Sequence, residues 1–259
     1  MTEDWARLTG AVVASLDSPT LPQVLAGLLR QVAPFSYNVV FGYLGTAQPI
    51  DLHDDFPHDK RQVFVTDYQA GPYLLDPFYQ AAMGAVVPGL HRMRDLAPDR
   101  FYQGEYFRNY YEQTGLAEEI GYFVTLPQQA VVVVSLMRAE RPFTQREFAA
   151  LQAVFPFVAA VVQRQWGGLA QRFDGGSPAA QQRPGRAVFS NFGNGILTAR
   201  EREVTEFTLK GHSAESAGQL LGISPGTVRI HRRNIYAKLR INSQGELFSR
   251  FLETILDLT

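Results

Sequence analysis

The sequence predicts an α/β sandwich followed by a small all-helical module, and three observations carry that reading. Residues 120–137 hold two runs rich in β-branched and aromatic side chains with a three-residue turn between them. From Leu197 onward the chain breaks into short apolar-striped segments, each opened by a good capping residue. Between these regions Gly167–Gly195 is rich in Gly, Pro and Gln and lacks sustained periodicity, the composition of a flexible linker. The predicted boundaries are therefore 1–166, 167–195 and 196–259. Phe173, Val188, Phe189 and Phe192 are unusually apolar for a linker, so parts of it are expected to dock on a domain.

In the first region Asp4–Leu16 and Leu21–Val32 read as helices, the second preceded by Ser18-Pro19-Thr20. Tyr37–Leu44 reads as a strand, with Pro49–His53 as a short partner. Asp59–Tyr68, Leu75–Met83 and the aromatic-rich Arg100–Glu112 read as helical. Ile120–Leu126 and Ala130–Met137 are strands joined by Pro127-Gln128-Gln129. Thr144–Gln165 reads as one long helix, with Thr144 as N-cap and Glu147 at its N3 position. An antiparallel sheet flanked by helices is a sandwich of the GAF/PAS-like kind, which commonly keeps a pocket between the sheet and the helices on one face.

In the second region Thr198 caps a helix and Glu201 completes a capping box, with Val204 and Phe207 on the apolar stripe. Gly211 ends that helix, and Ser213 opens a second one, Ala214–Leu221. Gly222 turns the chain into a third, where Ser224 is the N-cap and Pro225 and Gly226 fill the first turn. At about 100° per residue, Val228, Ile235 and Leu239 share a core face, while Arg229, Arg233 and Tyr236 share another with Arg232 at its border. Two helices joined by a three- or four-residue turn containing Gly form a helix-turn-helix, and guanidinium groups on the second suit phosphate oxygens or the O6/N7 edge of guanine. Ile230, beside Arg229, suits a thymine methyl.

These residues resemble the DNA-binding domain of LuxR-type transcriptional regulators: the chain matches LTxREREV, then GxS, then LGISxGTVxxHxxNIYxKL. The resemblance covers about a quarter of the chain and implies a four-helix module whose recognition helix enters the major groove. It assigns base contacts to Thr227, Arg229, Ile230 and Arg233 and phosphate contacts to Arg232 and Lys238. It also implies dimer contacts through Gln244–Leu256 and a palindromic double-stranded operator. Thr205 stands where Leu is common, Ser216 where Ile is usual and Arg240 where Gly is usual.

Composition agrees with a site-specific reader. Net charge is −1, and from Leu197 to Thr259 nine Lys/Arg face seven Asp/Glu, so the excess of two gathers on one helix rather than spreading over a basic coat. The chain has no cysteine, which excludes disulfides and thiolate metal sites. No signal pattern and no apolar stretch of eighteen residues is present, so a cytoplasmic location is expected, with no membrane partner.

The aromatic region from Phe64 through Tyr68, Tyr73, Asp76, Tyr79 and Phe101 has the composition of a pocket wall. There Asp76 suits a ligand N–H, and Tyr68 or Ser135 a ligand carbonyl; Tyr43 and Thr125, on the strands, complete the candidate set. The plain structural reading is that the aromatics are core and Asp76 caps the helix that Pro77 begins. Tyr68…Gly71…Asp76-Pro77 and Gly121-Tyr-Phe-Val-Thr-Leu-Pro127 are similar to the lactone-binding domain of quorum-sensing LuxR-type receptors. That resemblance places the ligand amide on Asp76. The family also uses a Trp about a dozen residues earlier, where this chain has Val63 or Phe64, so a different small effector, or none, is expected.

Other readings fare worse. A phospho-receiver would not open with two helices or set Asp54-Asp55 before a Pro and a helix. A metal site from Asp51, His53, Asp55 and His58 is better explained as a polar surface turn. No cysteine nucleophile, GxSxG or phosphate-binding Gly loop supports an enzyme, and no cofactor or metal is expected. The sequence thus predicts a homodimeric transcription regulator whose first domain senses a small molecule or a protein partner, with RNA polymerase as a further partner.

Overall fold

The β-branched runs form the middle of an antiparallel sheet. The computed structural model describes residues 3–84, 86–174, 188–189 and 191–256. The chain gathers into two units: Met1–Arg61, Ala81–Leu96 and Leu116–Gln182 in the first, and Gln62–Gln80, Ala97–Gly115 and Arg183–Thr259 in the second.

The first unit begins with α1 (Glu3–Ala14), α2 (Leu21–Val32), β1 (Tyr37–Tyr43), β2 (Ile50–Asp54) and α3 (His58–Arg61). After the last residues of α4 (Pro77–Met83) come β3 (Gly89–Arg92), α5 (Met93–Leu96), β4 (Glu118–Thr125) and β5 (Val131–Arg138). It ends with α6 (Gln145–Ala153), α7 (Phe155–Trp166) and α8 (Leu169–Asp174). The spatial strand order is β2-β1-β5-β4-β3, with antiparallel neighbours throughout. Gln128 and Gln129 take left-handed φ of 59° and 61° to turn β4 into β5.

Alternation sorts the side chains. Ile120, Tyr122 and Val124 of β4 and Val132, Val134 and Leu136 of β5 pack on α1, α2, α6 and α7 through Val12, Leu25, Leu29, Leu151 and Val158. Tyr122 completes this layer by donating its hydroxyl to the Leu151 carbonyl at 2.8 Å. The opposite face, with Phe41, Tyr43, Phe123, Val133 and Ser135, is buried as well. Burial on both faces explains why β5 reads as a nearly unbroken valine run.

Several expectations need correction. The single helix expected over Thr144–Gln165 is two, broken at Val154, because Pro156 lacks an N–H and must sit in the first turn of α7. Thr144 and Glu147 do form the capping box at the start of α6. Asp59–Tyr68 is α3 followed by a π turn at Gln62–Asp67, and Arg100–Glu112 contains a 3-10 turn at Phe101–Gln103 and a π turn at Phe107–Tyr111. The helix expected from Leu75 starts at Pro77, after a 3-10 turn at Pro72–Leu75. β3 and α5 were not foreseen. They bring Arg92 to Glu118 at 2.5 Å, both side chains almost fully buried. Of the expected linker, 175–187 and 190 lie outside the described residues. Its start is α8, with Leu169 beside Gly42 in the first unit, and Val188, Phe189 and Phe192 are buried in the second.

The second unit carries α9 (Ala199–Leu209), α10 (Ala214–Leu221), α11 (Pro225–Leu239) and α12 (Gln244–Leu256). Thr198 and Glu201 make the expected capping box, while Ser213 and Ser224 accept from the backbone N–H groups of Ser216 and Thr227. Val228, Ile235 and Leu239 are buried, as their spacing predicts. The two polar departures from the family pattern are satisfied locally: Thr205 donates to the Glu201 carbonyl at 2.8 Å, and Ser216 Oγ lies 2.8 Å from His212 Nδ1. The third is strained. Arg240 ends α11 at φ 55° and ψ 48°, a left-handed conformation that costs a side-chain-bearing residue roughly 1–2 kcal/mol. Because glycine gives back part of that gain as backbone entropy, Arg240→Gly is expected to stabilise the module by about 1 kcal/mol, read as a rise in thermal midpoint.

Among the described residues no helix is long and apolar enough to cross a membrane.

Candidate functional site

α10 and α11 are joined by Gly222-Ile223-Ser224, which gives the helix-turn-helix its tight corner. With Val228, Ile235 and Leu239 turned inward, α11 presents Arg229, Ile230 and Arg233 outward, with Ile230 51% exposed although apolar. Thr227 is half-buried at the first turn, its hydroxyl 2.8 Å from Ser224 Oγ. Arg229 forms an ion pair with Glu215 in the first turn of α10, which sets that turn beside the outward face.

The two residues assigned to phosphates are held differently. Arg232 bends back into the module, donating to Thr208 Oγ1 at 3.0 Å and to the His212 carbonyl at 2.7 Å. Burial holds its guanidinium below the ordinary arginine pKa. Lys238 pairs at 2.7 Å with Glu201, whose carboxylate is almost fully buried. Both therefore fasten α11 to α9 and to the loop after it. Spacing alone puts Arg232 at the border of the arginine face; its partner 24 residues away draws it inward, while Lys238 reaches a partner 37 residues away and stays exposed.

Of the sensor candidates, Tyr43, Thr125 and Ser135 belong to the first unit. Register places all three on the sheet face opposite the helical core: Tyr43 and Thr125 both pair with Val131, and Ser135 lies between Val39 and Gly121. A cavity of about 340 Å3 opens along this face, walled by Leu44, Ala82, Met83, Phe123, Thr125 and Val131. Only Thr125 of the nine candidates is among its lining residues. The alternation of β4 and β5 signals the other strand positions, while Leu44 and Met83 carried no such signal.

Phe64, Tyr68, Tyr73, Asp76, Tyr79 and Phe101 belong to the second unit. Asp76 is fully enclosed. Tyr68 donates its hydroxyl to Asp76 Oδ2 at 2.6 Å, and the Phe78 N–H donates to Oδ1 at 2.9 Å, which caps α4. Burial lifts the Asp76 carboxyl to about 6, against the hydrogen bonds from Tyr68 and from the Phe78 and Tyr79 backbone. Tyr73 stacks edge-on with Tyr79 at 5.0 Å and tilts against Tyr68 at 6.2 Å. Its buried hydroxyl finds no hydrogen-bond partner among the described residues. Gly71, with φ +151°, admits Ile255 of α12 where a Cβ would clash, so the loop before Asp76 packs on the last turn of that helix. Phe64 is half-buried, and Phe101 is buried beside Tyr106 and Phe107.

In the turn around His53 the carboxylates form ion pairs, while Asp51 Oδ1 and His53 Nε2 are buried without a hydrogen-bond partner among the described residues. Arg61 bridges Asp51 and Asp54 at 2.6 and 2.8 Å, and Arg30 pairs with Asp55.

Residues 195–251 match the model of the bacterial regulatory proteins of the luxR family. A relative from Aeromonas salmonicida, named as an HTH-type transcriptional regulator in the exeN 3′ region, is 32% identical over 187 residues. The match covers 70% of this chain and 95% of that protein. The chain belongs to the luxR family of bacterial regulatory proteins. This luxR-family regulator is also 31% identical over 147 residues to the monoamine regulon transcriptional regulator of Klebsiella aerogenes, 55% of each chain. Among solved structures, the VqsR LBD domain from Pseudomonas aeruginosa matches it with a TM-score of 0.55 and 26% identity, over 63% of this chain and 97% of that one. The helix-turn-helix is thus the DNA-binding module of a transcriptional regulator, and the N-terminal fold is one shared with a domain of a second protein.

Proposed function

We propose that this regulator acts in the cytoplasm as a homodimer on a palindromic operator, reading bases with Thr227, Arg229, Ile230 and Arg233, and that a small-molecule effector in the first unit controls it. The exposed Arg229–Ile230–Arg233 face carries the reading: an outward isoleucine between two outward arginines suits base edges better than bulk solvent. Replacing Arg229 or Arg233 by alanine is expected to weaken operator binding by about 1–3 kcal/mol each. Anisotropy on a duplex selected from a randomised pool measures it; unchanged affinity in both variants would sink the assignment.

The effector reading rests on the cavity, lined by apolar and polar groups alike, whose volume lies at the lower end of the range that holds small ligands, roughly 300–1,000 Å3. A bound molecule should raise the thermal midpoint in proportion to its occupancy. Native mass spectrometry of protein from its own host then reports the mass. The internally satisfied Asp76–Tyr68 pair favours a second reading, an orphan regulator controlled by protein contacts, because neither carboxylate oxygen waits for a ligand.

Asp76 also makes a pH prediction. Its folded pKa near 6 lies above the unfolded carboxyl value of about 3.9. The stability given by the neutral carboxyl is complete below about pH 4 and is lost as pH rises through 6. Asp76→Asn removes the titration, so thermal midpoints of the variant are expected to fall less than those of the natural protein between about pH 4 and 7. Parallel curves would refute the raised pKa.

A further inference from the structure

Within the second unit, the segment from Pro98 to Glu105 is fastened to the helix-turn-helix. Arg100 donates its N–H to the Gly211 carbonyl at 3.0 Å, and the Ser213 N–H donates to Asp99 Oδ1 at 3.0 Å. Gly211 has φ +91°, and a Cβ there would stand 2.8 Å from Phe101 Cα, so only glycine admits this approach. Glu105 reaches the other side, its Oε2 lying 3.6 Å from where a Cβ on Gly245 would be, and its charge acts on Tyr236 of α11. Arg100 in turn lies within electrostatic range of Glu215 and Arg232.

These contacts fall where DNA must go. In a helix-turn-helix the first helix crosses the phosphate backbone while the second lies in the groove. Helix N-termini hold phosphates through free N–H groups and the positive end of the dipole. The first turn of α10 stands beside the reading face, because Glu215 in it pairs with Arg229. Ser213 is the N-cap of α10, and its N–H is already given to a carboxylate.

We propose that Pro98–Glu105 is an autoinhibitory strap, in which the Asp99 carboxylate occupies the position of a DNA backbone phosphate at the N-terminus of α10. The strap must leave before the duplex can seat, so DNA and the strap compete for one anion position. This rests on the reading of α11 as the groove helix. A signal that draws the 97–115 segment away would expose the module without changing any residue in it.

The test is anisotropy of the full chain on a mixed-sequence 30-base-pair duplex at low salt, where phosphate contacts dominate. Asp99→Ala is expected to bind about tenfold tighter than the natural chain, the size of one lost cap contact. Asp99→Asn keeps an acceptor for Ser213 but no charge, and is expected to fall between them. It also keeps the test alive if the alanine variant folds poorly, which thermal melts reveal. Affinity equal to or weaker than the natural chain in both variants overturns the strap. Arg233→Ala is measured alongside on the selected operator duplex: if it leaves binding unchanged while Asp99→Ala gains, the base-reading role of Arg233 fails but the competition for the backbone position at α10 stands.

Discussion

Phe251→Ala is expected to destabilise the second unit by about 3–5 kcal/mol, a large share of the stability of an ordinary domain. Phe251 is completely buried in α12, stacked on Phe189 with ring centroids 4.8 Å apart and meeting Phe192 edge-on at 5.6 Å. These partners come from the segment that precedes α9, so the ring ties the start of the module to its last helix. Truncation removes the transfer free energy and leaves a cavity ringed by aromatics that cannot collapse into it. Both tryptophans, Trp5 and Trp166, lie in the first unit. In urea, far-UV circular dichroism should lose an early helical step while the tryptophan emission transition keeps its midpoint. A shift below about 1 kcal/mol would show that the aromatic stack contributes little.

Glu118→Ala is expected to destabilise the first unit by a similar amount, about 3–5 kcal/mol. Glu118 receives Arg92 Nη1 at 2.5 Å and the Phe143 N–H at 2.6 Å, while both Arg92 Nη atoms donate to the Phe143 carbonyl at 3.1 Å. The guanidinium also lies 4.4 Å from the Phe148 ring centre. Removing the carboxylate strands a buried cation and a buried amide. Replacing both members with apolar residues of matched volume should recover much of the loss, because the pair itself gains little over hydrophobic packing. Tryptophan emission in urea reads both outcomes. Double replacement as damaging as the single one would mean that geometry, not the stranded charge, is at stake.

What the sequence made legible was local. Thr198 with Glu201 and Thr144 with Glu147 announce helix starts because a cap is satisfied within four residues, and period-two valines announce β5 for the same reason of range. The outward Arg229, Ile230 and Arg233 follow from helical spacing alone. Where a partner lies far along the chain, local reading fails. Nothing local to Arg232 and Lys238 announces their contacts with Thr208 and Glu201, and Arg92 gives no hint of Glu118. β3 is only four residues, Gly89-Leu-His-Arg92, too short to show alternation; its pairing with β4 makes it a strand. The π turns at Gln62 and Phe107 sit in aromatic-rich sequence that reads as ordinary helix, since nothing in side-chain spacing marks one added residue per turn.

The fork of Arg61 on Asp51 and Asp54 has a consequence for how copies of this chain meet. β2 is an edge of the sheet, and β1 slips register against it between Val40 and Phe41. An edge that is bulged and lined with ionised side chains resists strand-by-strand annealing with another sheet. Growth by sheet extension, the route to fibrous aggregates, is thus closed on that side at the level of single residues. Where two molecules meet, this edge therefore contributes no strand, and β2 stays paired with its own sheet.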